Sequence, residues 1–401
     1  MKYTFSDRVS ALSPSAIREI LKYSAGDPEV VPLSAGNPSP EAFPTEEVAA
    51  ISDRLLRTRP IDALQYSLTE GYPALRDRLK RYMSEQHRAV RDTDELIITA
   101  GAQQVMGLAV KVLCNEGDGV ICEDPSFIGS LNSFRSLGAK LIGVPVESDG
   151  MSLTALEAAL TAHPETRFIY TIPNFQNPTG VTMSLEKRRG VYALAKRFGV
   201  LILEDNPYGD LRFAGEPLPT IKSMDEDGIV LYAGSFSKVL APGLRVGYAL
   251  GPQPLIAKMV VAKQGEDVHT NIWAQMICDE FMQGDFAGHL DKLRAIYRAK
   301  AAHMQTLIEQ YLVPAGITYH PVQGGLFMWC TLPEGADMPA FCRRAVVEHK
   351  VAVVPGSAFL ADPDTPCSSF RVNYSTPTDE AMTRGIQRLG AFAQTFLKEG
   401  K

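Results

Sequence analysis

RFIYTIPNFQNPTGVTMSLEKRRGVYALAKRFGVLILEDN, residues 167–206, sets two apolar runs on either side of one helical segment. The runs RFIYTIPN (167–174) and VLILEDN (200–206) are continuous rather than alternating. That is the composition of strands buried on both faces, as in a parallel or mostly parallel sheet. Between them LEKRRGVYALAKRFG places Leu185, Tyr192, Ala195 and Phe198 at helical spacing, which predicts a helix with those side chains inward. Strand, helix and strand in this order predict an α/β unit.

The alternation extends outward in both directions. LIITAG (96–101), GVICEDP (119–125), KLIGVPV (140–146), IVLYAGS (229–235) and VGYALG (246–251) bring the apolar runs to seven. We expect a large domain over residues 46–284 built on a mostly parallel seven-stranded sheet with helices on both faces. Residues 1–45 are rich in Pro, Ser and Gly and read as a short helix and an extended arm that packs with a smaller domain. Beyond Gly284, the residues Phe286, Leu290, Leu293, Tyr297, Met304, Ile308 and Tyr311 form one stripe of a long helix. The runs GGLFMWCTL, VAVVPGSAF and SSFRVNYS follow it, so residues 285–401 read as a smaller α+β domain.

The 401 residues are 45% hydrophobic and 21% charged, with a formal net charge of −6. These values suit an ordinary globular chain and argue against nucleic acid or an anionic membrane surface as partner. Ser6, Asp7, Arg8 and Ser10 interrupt the apolar core that a signal peptide needs, and no eighteen-residue apolar stretch is present. The six cysteines show no CxxC pair and no neighbouring histidine cluster, which predicts reduced thiols, no bound metal and a cytoplasmic location.

Chemistry concentrates in LYAGSFSKVLAPGLRVGYAL. A buried strand ends in small and hydroxyl residues, presents Lys238, turns through Pro-Gly and reaches Arg245. Lone lysines near strand ends are usually solvated. Here Ser235, Ser237 and Arg245 surround Lys238, and hydroxyls with a guanidinium bind phosphate while an amine condenses with a carbonyl. Asp205 ends a strand too hydrophobic for an exposed carboxylate; it reads either as a turn aspartate or as the partner that keeps a pyridine nitrogen protonated. Tyr208 and Asn177, the latter in a rigid Asn-Pro-Thr-Gly turn, could reach the oxygen of such a ring. TAGAQQ (99–104) runs from a strand through a glycine turn into a helix and suits an anion, with Ala102 and Gln103 at the helix start. It lacks the second glycine of a dinucleotide site. Phe127 could stack on a flat ring or belong to the core. Arg371, between Phe370 and Val372, either points to solvent on an edge strand or grips a carboxylate through two parallel hydrogen bonds.

Taken together, NPTG, EDNPY, SFSK with its following arginine, and FRVNYS resemble the fold-type-I pyridoxal 5′-phosphate aminotransferases of class I/II. Within them the chain looks most like the kynurenine/2-aminoadipate aminotransferase branch, over nearly its whole length. The resemblance implies Lys238 as the Schiff-base lysine and proton shuttle, Asp205 as the pyridinium partner, and Asn177 and Tyr208 at the ring oxygen. It implies Gln103, Ser235, Ser237 and Arg245 at the phosphate, with Tyr66 contributed from the neighbouring subunit of a homodimer. Arg371 would hold the substrate carboxylate, Gly36 would line the substrate pocket, and Arg18 would read a distal group of the substrate or stand as an exposed helix arginine. Two positions depart from the family pattern. Phe127 stands where tyrosine is common, and Ala102 where serine is common; each change loses one hydroxyl and leaves stacking or the backbone N–H in place.

The implied reaction is a ping-pong transfer of an amino group from an L-amino acid to a 2-oxo acid such as 2-oxoglutarate, with neutral Lys238 as the base. Donors left open include aromatic amino acids, 2-aminoadipate, glutamate and branched-chain amino acids. A β-lyase or decarboxylase of the same fold, and a ligand-sensing domain of the kind fused to winged-helix regulators, are the competing readings. Arg371 and the absence of a further acid/base motif favour transamination; a chain that starts at the arm leaves no room for a DNA-binding domain.

Overall fold

The computed structural model describes residues 3–10 and 27–399. Fourteen strands are numbered here in chain order. The first, β1 (Val31–Pro32), lies in the arm. The large sheet comprises β2 (Asp94–Thr99), β3 (Gly119–Asp124), β4 (Lys140–Glu147), β5 (Gly150–Met151), β6 (Thr166–Thr171), β7 (Leu201–Asp205), β8 (Val230–Ser235) and β9 (Gly247–Pro252). Their order across the sheet is β2-β9-β8-β7-β6-β3-β4-β5.

The strands β8, β7, β6, β3 and β4 run parallel, whereas β9 is antiparallel to both β8 and β2, and β5 is antiparallel to β4. The seven runs expected from the sequence are therefore all present. The eighth strand, β5, is a two-residue return of β4 whose Gly-Met sequence carries no strand pattern. β6 stops at Thr171 although its apolar run continues to Asn174. Pro173 has no N–H for a ladder, and the Ile172 N–H is taken by the Glu123 side chain at 3.1 Å.

Both faces of this sheet are buried, as continuous runs require. On one face Ile121, Ile169 and Ile202 pack with Leu156, Val191 and Ala195 of the helices Leu153–Ala162 and Leu185–Phe198. On the other, Val120, Cys122, Phe168, Tyr170 and Leu203 join Val105, Leu131 and Phe134, the last two on the helix Ile128–Ser136. Burying one such aliphatic side chain is worth about 1.5–3 kcal/mol, so the two faces together carry the sheet.

The helix Leu185–Phe198 begins at Ser184, whose hydroxyl accepts the Lys187 N–H at 3.2 Å, and ends at Gly199 in the left-handed region (φ 70°). Its inward face differs from the expected one: Arg188, Val191, Leu194 and Ala195 are buried, while Leu185, Tyr192 and Phe198 are half-buried. Hydropathy places an arginine outward, but Arg188 is fully buried and bonds the carbonyls of Met183, Pro173 and Pro219 and the Asn174 side chain. The buried stripe is rotated accordingly.

The long helix Phe286–Tyr311 starts at Asp285, whose carboxylate accepts the Gly288 N–H at 2.9 Å, and buries Leu290, Leu293, Tyr297, Met304 and Ile308. Beyond it, β10 (Thr318–Tyr319), β11 (Phe327–Thr331), β13 (Val354–Pro355) and β14 (Ser369–Asn373) form an antiparallel sheet in the order β10-β11-β14-β13. The arm joins this region: β1 pairs in parallel with β12 (Val351–Ala352), and the Asn373 N–H reaches Leu33 O at 2.8 Å. Residues 33–37 thereby run past the chain segment that follows β8, where Gly36 O meets Lys238. No helix among the described residues is long and apolar enough to cross a membrane. All six cysteines are free thiols, four of them buried.

Candidate active site

Lys238, Asp205, Asn177 and Tyr208 come from strand ends or the segments that follow them, and Arg371 from the middle of β14. β8 ends at Ser235, whose hydroxyl accepts the Ser237 N–H at 3.1 Å and lies 2.9 Å from Ser237 Oγ. This local serine turn reverses the chain and presents Lys238. The Lys238 side chain is half-buried, and its Nζ donates to Gly36 O at 2.7 Å. Burial of the amine, reinforced by the positive charges of Arg371 and Arg245, lowers its pKa to about 8.

Asp205 is the last residue of β7 and is 4% exposed. Its Oδ2 accepts from Tyr170 Oη at 2.8 Å, while Oδ1 is buried without a partner. Burial pushes its pKa up to about 7 against the Tyr170 bond, with Glu123 adding to the rise. Tyr208, also buried, has its phenol pushed well up by desolvation, against the pull of Arg371 and a hydrogen bond from Asn177.

Asn177 sits in a turn locked by Gln176, whose Oε1 accepts from the Thr179 N–H at 3.0 Å and Thr179 Oγ1 at 2.7 Å. Its Oδ1 accepts from Arg371 Nη1 at 2.9 Å. Arg371 lies on β14, which is interior to its sheet, so a solvent-facing edge position is ruled out. Arg371 Nη2 donates to Ser34 O at 2.9 Å, Nε has no partner, and the guanidinium lies 4.1 Å and 5.0 Å from the ring centres of Phe327 and Phe359. Burial lowers its pKa to about 10, and it stays charged at neutral pH.

On the opposite side, β2 passes through Gly101 (φ 79°) into the helix Ala102–Leu113. A Cβ on Gly101 would lie 2.5 Å from Arg245 Nη2, and one on Gly247 would lie 2.6 Å from the Ala102 nitrogen. Glycine at both positions lets the helix N-terminus and the guanidinium approach closely, an arrangement made for an anion. Arg245 itself takes the left-handed region (φ 53°) and rests on Ala100 O at 3.2 Å. Gln103 Nε2 donates to Gly129 O at 2.8 Å, and half-buried Phe127 caps the helix Ile128–Ser136.

Lys238, Asp205, Asn177, Tyr208 and Arg371 are thus linked by direct contacts or by charge, and Ser235, Ser237 and Arg245 lie beside Lys238. Tyr66 does not join them: it is 81% exposed, with its ring edge-on to His269 at 5.8 Å. Arg18 falls outside the described residues. A separate broad cleft lined by Arg78, Tyr82, Asp210 and Arg294 contains neither Lys238 nor Arg371. Sequence reasoning missed Tyr170, Ser130, Phe327 and Phe359. A tyrosine inside a continuous apolar run was the available signal, since a buried phenol needs a partner.

An amine, a buried carboxylate with a free oxygen, an anion cradle and a buried guanidinium form a set whose chemistry fits a phosphorylated pyridine aldehyde and a carboxylate. The aminotransferase class I and II model matches residues 28–389, and the chain belongs to that family; it is a pyridoxal 5′-phosphate-dependent transaminase. It is 36% identical to aromatic-amino-acid aminotransferase 1 of Thermococcus litoralis, covering 99% of this chain and 95% of that one. The crystal structure of the multiple substrate aminotransferase of Thermococcus profundus superposes with a TM-score of 0.94 at 35% identity, covering 98% of each chain. The alpha-aminoadipate aminotransferase of Thermus thermophilus, complexed with N-(5′-phosphopyridoxyl)-L-leucine, superposes with a TM-score of 0.90 at 36% identity, again over 98% of each chain.

Proposed function

We propose that Lys238 carries the cofactor and that Arg371 holds the substrate α-carboxylate, so that the donor is an L-amino acid. The observation that carries this is their common anchor: Lys238 Nζ bonds Gly36 O and Arg371 Nη2 bonds Ser34 O, two residues apart on one extended arm. An amine and a carboxylate receptor at that spacing suit the two ends of an α-amino acid. In this reading the helix start at Ala102 and Gln103, with Ser235, Ser237 and Arg245, binds the phosphate. Asp205 Oδ1, left without a partner, faces the ring nitrogen; Asn177 and Tyr208 hold the ring oxygen; and Phe127 covers the ring face. When bound, pyridoxal phosphate supplies the ring that accepts the electron pair released at the substrate Cα. Lys238 Nζ, neutral above pH about 8 and brought there by its desolvated site, moves the α-proton.

The donor is an aromatic amino acid, 2-aminoadipate or a similar L-amino acid, the acceptor a 2-oxo acid such as 2-oxoglutarate, and the order ping-pong. The relatives' names and the phenyl rings of Phe327 and Phe359 beside Arg371 support that range. Gly36 lines the pocket, and Arg18 reads a distal substrate group. The chain works as a homodimer in which Tyr66 reaches the neighbouring site. Tyr66, Ile61 and Leu64 are all more than 70% exposed, and three large apolar side chains so close in sequence favour burial against a second copy. The organisation is an arm (1–45), a cofactor-binding domain (46–284) and a small domain (285–401), and free buried thiols favour the cytoplasm. Initial rates with a donor panel at several 2-oxoglutarate concentrations test this. Parallel double-reciprocal lines are expected for the aromatic or 2-aminoadipate donor, and intersecting lines would refute the ping-pong order.

A further inference from the structure

Three residues that the reaction does not touch directly stand behind Asp205: Tyr170, Ser130 and Phe134. Tyr170 on β6 is completely buried, and its ring is held edge-on by Phe134 at 5.2 Å. Its hydroxyl lies 2.8 Å from Asp205 Oδ2 and 2.8 Å from Ser130 Oγ. Register explains the approach. Tyr170 is paired with Leu203, and Leu203 and Asp205 share a face of β7, so the phenol and the carboxylate meet on one side of the sheet. Ser130 comes from the first turn of the helix that begins after Phe127.

The direction of the bonds follows from counting protons. A phenol has one; given to an ionised Asp205, it leaves Tyr170 only able to accept, so Ser130 must donate to it. Oδ2 is then occupied, and Oδ1 is the acceptor left without a partner. We infer that Ser130 and Tyr170 form a hydroxyl relay that positions Asp205, holding Oδ2 so that Oδ1 is presented, ionised, to the ring nitrogen of the cofactor. This rests on the reading of Asp205 as the ring-nitrogen partner. Tyr170 and Ser130 are positioning residues, since they touch neither cofactor nor substrate. The other ionisable groups near this carboxyl do not replace them: Glu123 projects from the opposite face of the sheet, where it bonds Thr171, and Tyr208 makes no bond to Asp205, whose Oδ2 takes Tyr170 and whose Oδ1 has no partner.

The test compares Tyr170→Phe, Ser130→Ala, Ser130→Thr and Asp205→Ala. Four quantities are read near neutral pH: the dissociation constant for pyridoxal phosphate added to cofactor-free protein, the 15N resonance of cofactor labelled at the ring nitrogen, and kcat and KM with L-glutamate. A charge-assisted hydrogen bond is worth a factor of about 10 to 100. Tyr170→Phe should weaken cofactor binding by ~10- to 100-fold, move the resonance toward that of an unprotonated ring, and lower kcat with KM little changed. Ser130→Ala should act in the same direction and less, and Ser130→Thr, which keeps the hydroxyl, should match the parent. If Tyr170→Phe keeps the parent's resonance and affinity while Asp205→Ala loses both, the relay is wrong and the role of Asp205 stands. If Asp205→Ala keeps both, the role of Asp205 fails and the relay with it. Should Tyr170→Phe melt before it can be measured, Ser130→Ala against Ser130→Thr decides alone.

Discussion

Glu204 and Asp205 are neighbours on β7, and the two faces of the sheet treat them differently. Glu204 faces the helix Leu185–Phe198 and has both oxygens occupied, by the backbone N–H groups of Ile221 at 2.9 Å and Lys222 at 2.7 Å. Glu123, on the same side, is filled by Thr171, Ile172 and Gln176. Arg188 uses all three nitrogens. Across the sheet Asp205 keeps one oxygen unpaired, and above the strand ends Arg371 keeps Nε unpaired. Buried polar groups are ordinarily satisfied because an orphan costs about 1–3 kcal/mol. The three groups on the closed side are held by hydrogen bonds, whereas Asp205 and Arg371 keep open positions that, in the function proposed above, a ligand fills. A further charged orphan, Arg212 Nη2, has the Phe175 ring 4.8 Å from its guanidinium.

The sharpest way to break this contrast is to remove the amine. Lys238→Ala should lower turnover by about 10⁴-fold or more, with the melting temperature nearly unchanged, because Nζ has one bond to a backbone carbonyl. Next come the two buried arginines. Arg371→Met should reduce kcat/KM by ~100-fold or more while costing about 1 kcal/mol of stability or less. Arg188→Met, which strands the Met183 and Pro219 carbonyls and the Asn174 amide oxygen, should destabilise by about 3 kcal/mol or more. Equal effects of the two on urea unfolding would erase the distinction.

Asp205 supplies a third comparison through pH. Its folded value of about 7 lies above the 3.8 of an exposed aspartate. Between those values the folded chain binds more protons than the unfolded one, so stability is lost as pH rises through that window. The gap corresponds to ~4 kcal/mol for the cofactor-free protein. Asn in its place cannot ionise but leaves an NH2 to satisfy, so Asp205→Asn should gain about 2 kcal/mol above pH 7 and lose about 2 kcal/mol near pH 4, by chemical denaturation of cofactor-free protein. Glu204→Gln should lose stability instead. The smallest effect concerns Lys238. The rate of cofactor uptake should rise with pH about a midpoint near 8, and Arg371→Met, by removing a like charge, should move that midpoint upward.

The fold was legible because continuous apolar runs carry their own signature; β5, too short to have one, was invisible. The inward face of Leu185–Phe198 was misread because a buried, fully bonded Arg188 looks like a surface residue to hydropathy. Lys238, Asp205 and Asn177 stood out as polar residues at the ends of apolar strands, and Arg371 as a charge inside one. Their supports did not: Tyr170 reads as strand core, and Ser130, Phe327 and Phe359 acquire a role only through register and packing between distant segments. Tyr66 stands apart within one chain, its ring exposed and edge-on to His269.

In the function proposed above, Lys238 carries the cofactor through an amino-group transfer. The most direct measurement is the visible absorption spectrum of the cofactor-loaded protein before and after L-glutamate, beside Lys238→Ala. A yellow band that bleaches with glutamate, returns with 2-oxoglutarate, and does not cycle in the variant is expected. A Lys238→Ala protein that bleaches and recovers like the parent would contradict it.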